Sequence, residues 1–106
     1  MLAGVALFFI AQSSPACTAP VEIQAALSRK ASAEVYSALG YWFIERRQVT
    51  CAIPAFRSAV KLDPALFEAR YNLGVALAEA ADYAGAAEHL RAAVRLKPGA
   101  PNAQVA

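Results

Sequence analysis

The chain has 106 residues, which is enough for one small domain. Its formal net charge of +2 is too small to indicate binding to nucleic acid or to an anionic membrane surface. Apolar residues make up 58% of the chain, and much of this content is alanine, which favours helix while filling little volume.

The N-terminal segment, residues 1–16, contains an uncharged apolar run from Leu2 to Ala11. A run of this length is too short to span a bilayer, which takes about 20 residues, but it matches the apolar core of a signal peptide. Small residues at Ser14 and Ala16 favour cleavage before Cys17, although no Lys or Arg precedes the run. Three interpretations stay open: export, lipid attachment at Cys17, and an apolar helix that packs on the rest of the chain.

Residues 17–32 are predicted to form a linker and a capping helix. Apolar residues recur at spacings of three and four between about Val21 and Ala31, and Pro20 suits the first turn of such a helix. The two cysteines, Cys17 and Cys51, could form a disulfide if the chain is exported, and would be free thiols in the cytosol. With one histidine, they are too few for a structural zinc site.

Two further helices are predicted next. Ser32 is a suitable N-cap for a helix from about Ala33 to Arg46, and a second helix runs from about Val49 to Leu62. Pro64 then follows an Asp, which predicts that Asp63 caps a third helix and that Pro64 is its first residue.

The third helix continues to about Ala80, and Asp82 is predicted to cap a fourth helix that ends at Pro98-Gly99. These two helices repeat the pattern of the previous two at a distance of thirty-four residues, which is typical of a helical solenoid. Because a glycine inside a helix costs about 1 kcal/mol relative to alanine, we expect a neighbouring helix to approach closely at both repeated glycines. The matching pairs are Leu39-Gly40 with Leu73-Gly74, Phe43 with Leu77, Ala52 with Ala86, Phe56 with Leu90, Ala59 with Ala93, Val60 with Val94, Leu62 with Leu96 and Pro64 with Pro98.

This pattern resembles the tetratricopeptide repeat, with residues 33–66 and 67–100 as two full units and 101–106 as a tail or the start of another. The resemblance implies an all-α fold of antiparallel helix-turn-helix repeats, stacked as a short right-handed α-solenoid after an extra N-terminal helix. The sequence departs from the family at Arg70, where the family prefers an aromatic residue. It also departs at Arg47 and Ala81, where the family often places glycine between the two helices.

The resemblance also implies a non-catalytic scaffold that binds a peptide or a partner helix in a concave groove, with no cofactor and no metal. The first helix of each unit would form the wall of this groove. Its four carboxylates favour a neutral or basic partner segment. The residues that the resemblance places on this concave wall are Glu34, Ser37, Tyr41, Ile44 and Glu45 from the first unit and Glu68, Tyr71, Asn72, Val75 and Glu79 from the second.

Two other functions stay open. The chain could be a structural or self-associating piece of a longer array, joined through exposed repeat ends, or a small helical hydrolase that uses Cys51 or His89. The sequence lacks a Gly-rich phosphate loop, HExxH and CxxC, and one histidine offers no obvious nucleophile–base pair, so catalysis is disfavoured. We expect another protein or peptide as the partner, and no nucleic acid.

The expected location follows from the N-terminal segment. A periplasmic or secreted protein is favoured, while a membrane-associated or cytoplasmic protein stays an alternative. Contact with a membrane is expected only if residues 1–16 are retained or if Cys17 carries a lipid.

Overall fold

The computed structural model describes residues 17–98, so the predicted signal-like segment and the predicted start of a further repeat lie outside the described part. Within residues 17–98 the chain forms five α-helices and no strand. They are α1 (Val21–Arg29), α2 (Ala33–Glu45), α3 (Val49–Leu62), α4 (Phe67–Glu79) and α5 (Tyr83–Leu96).

The helices pack as two stacked antiparallel pairs. Helix α2 packs against α3, α4 packs against α5, and α3 packs against α4, which joins the pairs. Helix α2 also contacts α4. The helices α3 and α5 are instead separated by a groove, and α4 forms its floor. The first helices of the pairs therefore lie on the inner, concave side, and the predicted all-α repeat fold is confirmed.

Two predicted N-caps have the expected geometry. The Ser32 hydroxyl accepts a hydrogen bond from the Val35 amide at 3.1 Å, and the Asp82 carboxylate accepts one from the Gly85 amide at 3.0 Å. Each side chain satisfies one of the amides that the first turn of a helix leaves without a partner. These caps explain why α2 and α5 begin where the sequence indicates.

The predicted start of the third helix is wrong. Helix α4 begins at Phe67, not at Pro64, because residues 63–65 form a turn. The Asp63 carboxylate accepts a hydrogen bond from the Ala65 amide at 3.1 Å, and the Arg70 Nε–H group donates to the Pro64 carbonyl at 3.0 Å. Both side chains thus bond the backbone of the turn and hold it outside the helix.

The connections inside the two pairs require a left-handed backbone. Arg47 has φ of 62° and Ala81 has φ of 66°, and these are the positions where the sequence departs from the family's glycine. The left-handed region costs a residue with a Cβ roughly 1–2 kcal/mol. Glycine adopts this conformation without that penalty.

Replacing Ala81 by glycine is therefore expected to raise the free energy of unfolding, by about 1 kcal/mol. Chemical denaturation followed by circular dichroism measures this change. Ala80→Gly is the matched control, because Ala80 has φ of −84° and gains nothing from glycine. A loss of stability in both variants would contradict the backbone conformation at Ala81.

Close packing between paired helices depends on the two repeated glycines. A Cβ on Gly40 would lie within 2.7 Å of three ring atoms of Phe56, and a Cβ on Gly74 would lie 2.6 Å from Leu90 Cγ. Phe56 is among the largest fully buried side chains of the described residues. The predicted close approach at both glycines is confirmed.

A disulfide fastens the N-terminal part of the described chain to the first helix pair. The sulfur atoms of Cys17 and Cys51 are bonded, at 2.03 Å, and their Cα atoms are 5.4 Å apart. The bond places Cys17 and Ala19 at the mouth of an apolar cavity of about 230 Å³ whose walls include Leu39 and Phe43. Helix α1 also contacts α2, so the disulfide and this contact hold the preceding part of the described chain against the first pair.

Candidate functional site

The first helices of the two pairs carry a repeated set of exposed carboxylates. Glu34 and Glu45 are exposed on α2, and Glu68 and Glu79 are exposed on α4. Because Glu34 matches Glu68 and Glu45 matches Glu79 in the repeat, the four side chains occupy equivalent positions on neighbouring helices. Helix α2 contains no Lys or Arg.

Aromatic and amide groups lie between these carboxylates. Tyr41 is 56% exposed, which is unusual for so large an apolar ring. Tyr71 is half-buried and stacks parallel to Phe67, with ring centroids 5.9 Å apart. Asn72 and Val75 are half-buried on the same helix. The surface can therefore offer stacking and hydrogen bonding besides charge.

Two of the predicted wall residues face the interior. Ile44 packs against the main core cluster, which includes Phe43 and Leu77. The Ser37 Oγ atom is buried and has no hydrogen-bond partner among the described residues. These side chains therefore support the concave wall more than they present a contact surface to a partner.

Glu68 forms an ion pair within the chain. Its carboxylate lies 3.6 Å from Lys97 Nζ, and both side chains are largely exposed. The same ammonium group lies 5.0 Å from the centroid of the Phe67 ring. An exposed ion pair typically contributes about 0–1 kcal/mol, so a partner's cation could replace Lys97 at low cost.

The second helices of the two pairs enclose a groove with one basic wall, which we call the convex groove. It is a cavity of about 230 Å³ between α3 and α5, and α4 forms its floor. Its lining residues are Arg57, Val60, Lys61, Leu73 and His89.

A hydrogen bond from Arg70 fixes the tautomer of the His89 ring, which lines this groove. Arg70 Nη1 lies 3.1 Å from His89 Nδ1. A guanidinium group can only donate, so Nδ1 accepts and the ring carries its proton on Nε2. Arg70 thus bonds His89 on one side and the turn before α4 on the other.

The pKa of His89 lies below its ordinary value of 6.5. Burial is the main cause, and the positive charges of Arg70 and Arg57 lower the pKa further. Glu88 and Asp82 act in the opposite direction, but they do not reverse the shift. The imidazole is therefore neutral at neutral pH.

Replacing Arg70 by glutamine is expected to raise the pKa of His89, because the change removes an adjacent positive charge. As the folded pKa lies below the unfolded one, His89 contributes stability above pH 6.5 that is lost as the pH falls through the folded pKa. This loss should be smaller in Arg70→Gln. The chain has a single histidine, so an NMR titration of the ring reports the pKa directly.

The matched control is Arg91→Gln, which removes the same charge from α5, where His89 also lies. Arg91 is not among the groups that shift the pKa of His89. An equal rise of the pKa in both variants would show that net charge, and not the Arg70 contact, sets it.

Residues 17–98 contain neither a candidate metal site nor a helix that could span a membrane. No group of three or more His, Cys, Asp or Glu residues there is placed to hold a metal ion. None of the described helices combines the length and the apolar character needed to cross a membrane.

Comparison with known proteins decides the family. The tetratricopeptide repeat model matches residues 37–101, which is more than half of the chain. The chain belongs to the tetratricopeptide repeat family. The resemblance predicted from the repeated Leu-Gly and Pro positions is thereby confirmed, and the family supports protein–protein interaction as the general function.

A solved structure gives the same result for this tetratricopeptide repeat protein. The crystal structure of MamA is similar to it with a TM-score of 0.65 and 29% sequence identity. The similarity covers 68% of this chain and 42% of the MamA chain, so this chain spans less than half of that protein. No curated protein matches the sequence.

Proposed function

We propose that this tetratricopeptide repeat protein is a non-catalytic scaffold whose concave wall binds a basic peptide or partner helix. The observation that supports the proposal is the set of four exposed carboxylates at equivalent positions of α2 and α4. Lys or Arg side chains of an extended segment could pair with successive carboxylates as the segment crosses the two helices. Complementary charge of this kind favours selection of the partner and fast association.

Apolar contact would supply much of the remaining affinity. Tyr41 is an exposed aromatic ring on the same helix as Glu34 and Glu45, and tyrosine is enriched among the residues that dominate binding energies. Asn72 could bond the backbone of an extended segment, since its side chain carries both a donor and an acceptor. Charge then selects the segment, and Tyr41 anchors it.

Binding of a labelled basic peptide, followed by fluorescence anisotropy, tests the proposal. Combining Glu45→Gln, Glu79→Gln and Tyr41→Ala should weaken binding roughly tenfold or more, since exposed charge pairs and aromatic anchors each contribute. Glu88→Gln is the charge-matched control, because Glu88 is exposed on α5, outside the concave wall. Weakening of the same size in the control, or a peptide that binds the triple variant normally, would refute concave binding.

Self-association is a second candidate, supported by an exposed position on α5. Tyr83 is 70% exposed, whereas its repeat equivalent Val49 packs against the core. A second copy of the chain could bury the exposed Tyr83 side chain, just as the core of the first pair partly buries Val49. Light scattering over a range of concentrations should then show growth that Tyr83→Ser abolishes, and a constant monomer mass would exclude this candidate.

We propose export for the location, supported by the Cys17–Cys51 bond, since disulfides persist in oxidising compartments. Lipid attachment would use the Cys17 sulfur atom, which the disulfide already occupies. The two modifications therefore exclude each other, and the proposal is a protein without a lipid anchor. Mass spectrometry of the mature protein should find Cys17 at the N-terminus and no added lipid. A retained residue 1 would contradict removal of the apolar segment.

A further inference from the structure

We propose that the convex groove binds the carboxylates of an acidic partner segment. This site is separate from the concave wall and has the opposite charge. Arg57 and Lys61 lie one helical turn apart on α3, and His89 faces the same cavity from α5. The neutral ring of His89 adds an N–H group, because Arg70 occupies its other nitrogen.

The cations of the groove have no carboxylate partner in the described chain. Among residues 17–98, the ion pair that forms joins Lys97 to Glu68, on a different surface. Arg57 and Lys61 thus reach the groove without a neutralising side chain. Asp82 and Glu88 act on His89 electrostatically, but neither lines the cavity, and the Asp82 carboxylate caps α5.

The shape of the groove favours an acidic segment over a free inorganic anion. Val60 provides apolar surface beside the basic side chains, above the buried Leu73. A cavity of about 230 Å³ could hold a carboxylate side chain together with an aliphatic neighbour, since one water molecule takes roughly 30 Å³ of liquid volume. Phosphate alone would leave the apolar surface uncovered.

The repeat itself supplies a matched control. Arg91 and Arg95 on α5 stand at the positions of Arg57 and Lys61 on α3, thirty-four residues later. They carry the same charge on the equivalent helix, but neither of them lines the convex groove. If substitution of Arg57 and Lys61 weakens peptide binding more than substitution of Arg91 and Arg95, the difference therefore comes from the groove and not from net charge or helix position.

The test uses the full chain and a short labelled peptide that alternates glutamate with leucine, followed by fluorescence anisotropy. Arg57→Gln with Lys61→Gln is expected to weaken binding roughly tenfold, as two partly exposed charge contacts are lost. Arg91→Gln with Arg95→Gln should leave the affinity within about twofold. A peptide with glutamine in place of glutamate should bind much more weakly to the unchanged protein.

Several results would overturn the proposal. These are equal weakening by both pairs of substitutions, equal affinity for the glutamine peptide, or no binding of the acidic peptide. Inorganic phosphate that competes at the peptide's own concentration would show a simple anion site and would also overturn it. Binding of the basic peptide to the concave wall should be unchanged in Arg57→Gln with Lys61→Gln, so failure of one proposal does not imply failure of the other.

Discussion

Reduction of the Cys17–Cys51 disulfide is expected to lower the free energy of unfolding by about 3–4 kcal/mol. The two cysteines are 34 residues apart, and a cross-link that closes a loop of this length removes conformational entropy mainly from the unfolded chain. The loop contains α1 and α2, so the link also keeps α1 close to the first helix pair. Chemical denaturation with and without a phosphine reductant measures the difference.

The control for this prediction is a variant without either thiol, Cys17→Ser with Cys51→Ala. Its stability should match that of the reduced protein, apart from the small loss of packing at the buried Cys51. It should also be insensitive to the reductant. Equal stability of the unchanged protein with and without reductant, or two free thiols detected by alkylation, would contradict the prediction.

Replacing Gly40 by leucine is expected to lower the free energy of unfolding by up to about 2 kcal/mol. The new side chain would meet the Phe56 ring, which is only 1% exposed and lies in a closely packed interior. Overpacking of this kind costs typically about 1–3 kcal/mol, and it outweighs the gain of about 1 kcal/mol from replacing a helical glycine. Denaturation followed by the fluorescence of Trp42 measures the change.

Ala38→Leu is the matched control, because Ala38 is exposed on the same helix. The added volume is similar, yet it points to solvent, so the expected change is within about 0.5 kcal/mol. If the two variants lost the same stability, Gly40 would not lie against α3, and the packing of the first pair would need revision.

Much of the fold could be predicted because the repeat imposes the same physical demands twice. Gly40 and Gly74 each admit a side chain of the paired helix, and a single spacing relates the two contacts. The turn at Asp63 and Pro64 could not be predicted as well. Its geometry depends on the long side chain of Arg70, which reaches back to the Pro64 carbonyl, and sequence spacing does not indicate that contact.

The two candidate sites also differ in how far the sequence predicts them. The carboxylates of the concave wall follow from the repeat register, whereas the burial of Ser37 Oγ depends on how closely the neighbouring atoms pack. The convex groove could not be predicted because its lining residues come from three helices, as Arg57, Leu73 and His89 do. The spacing of Arg57 and Lys61 was only a partial signal, since Arg91 and Arg95 share it without lining the groove.

The position of Tyr83 bears on the symmetry of a dimer that would form through it. Tyr83 is 70% exposed at the start of α5, whereas the disulfide and α1 contact the first helix pair. Two copies that meet through their Tyr83 surfaces are related by a two-fold axis. Once the dimer has formed, neither copy has this surface available for a third copy. Such a dimer would therefore not grow into a filament through this contact.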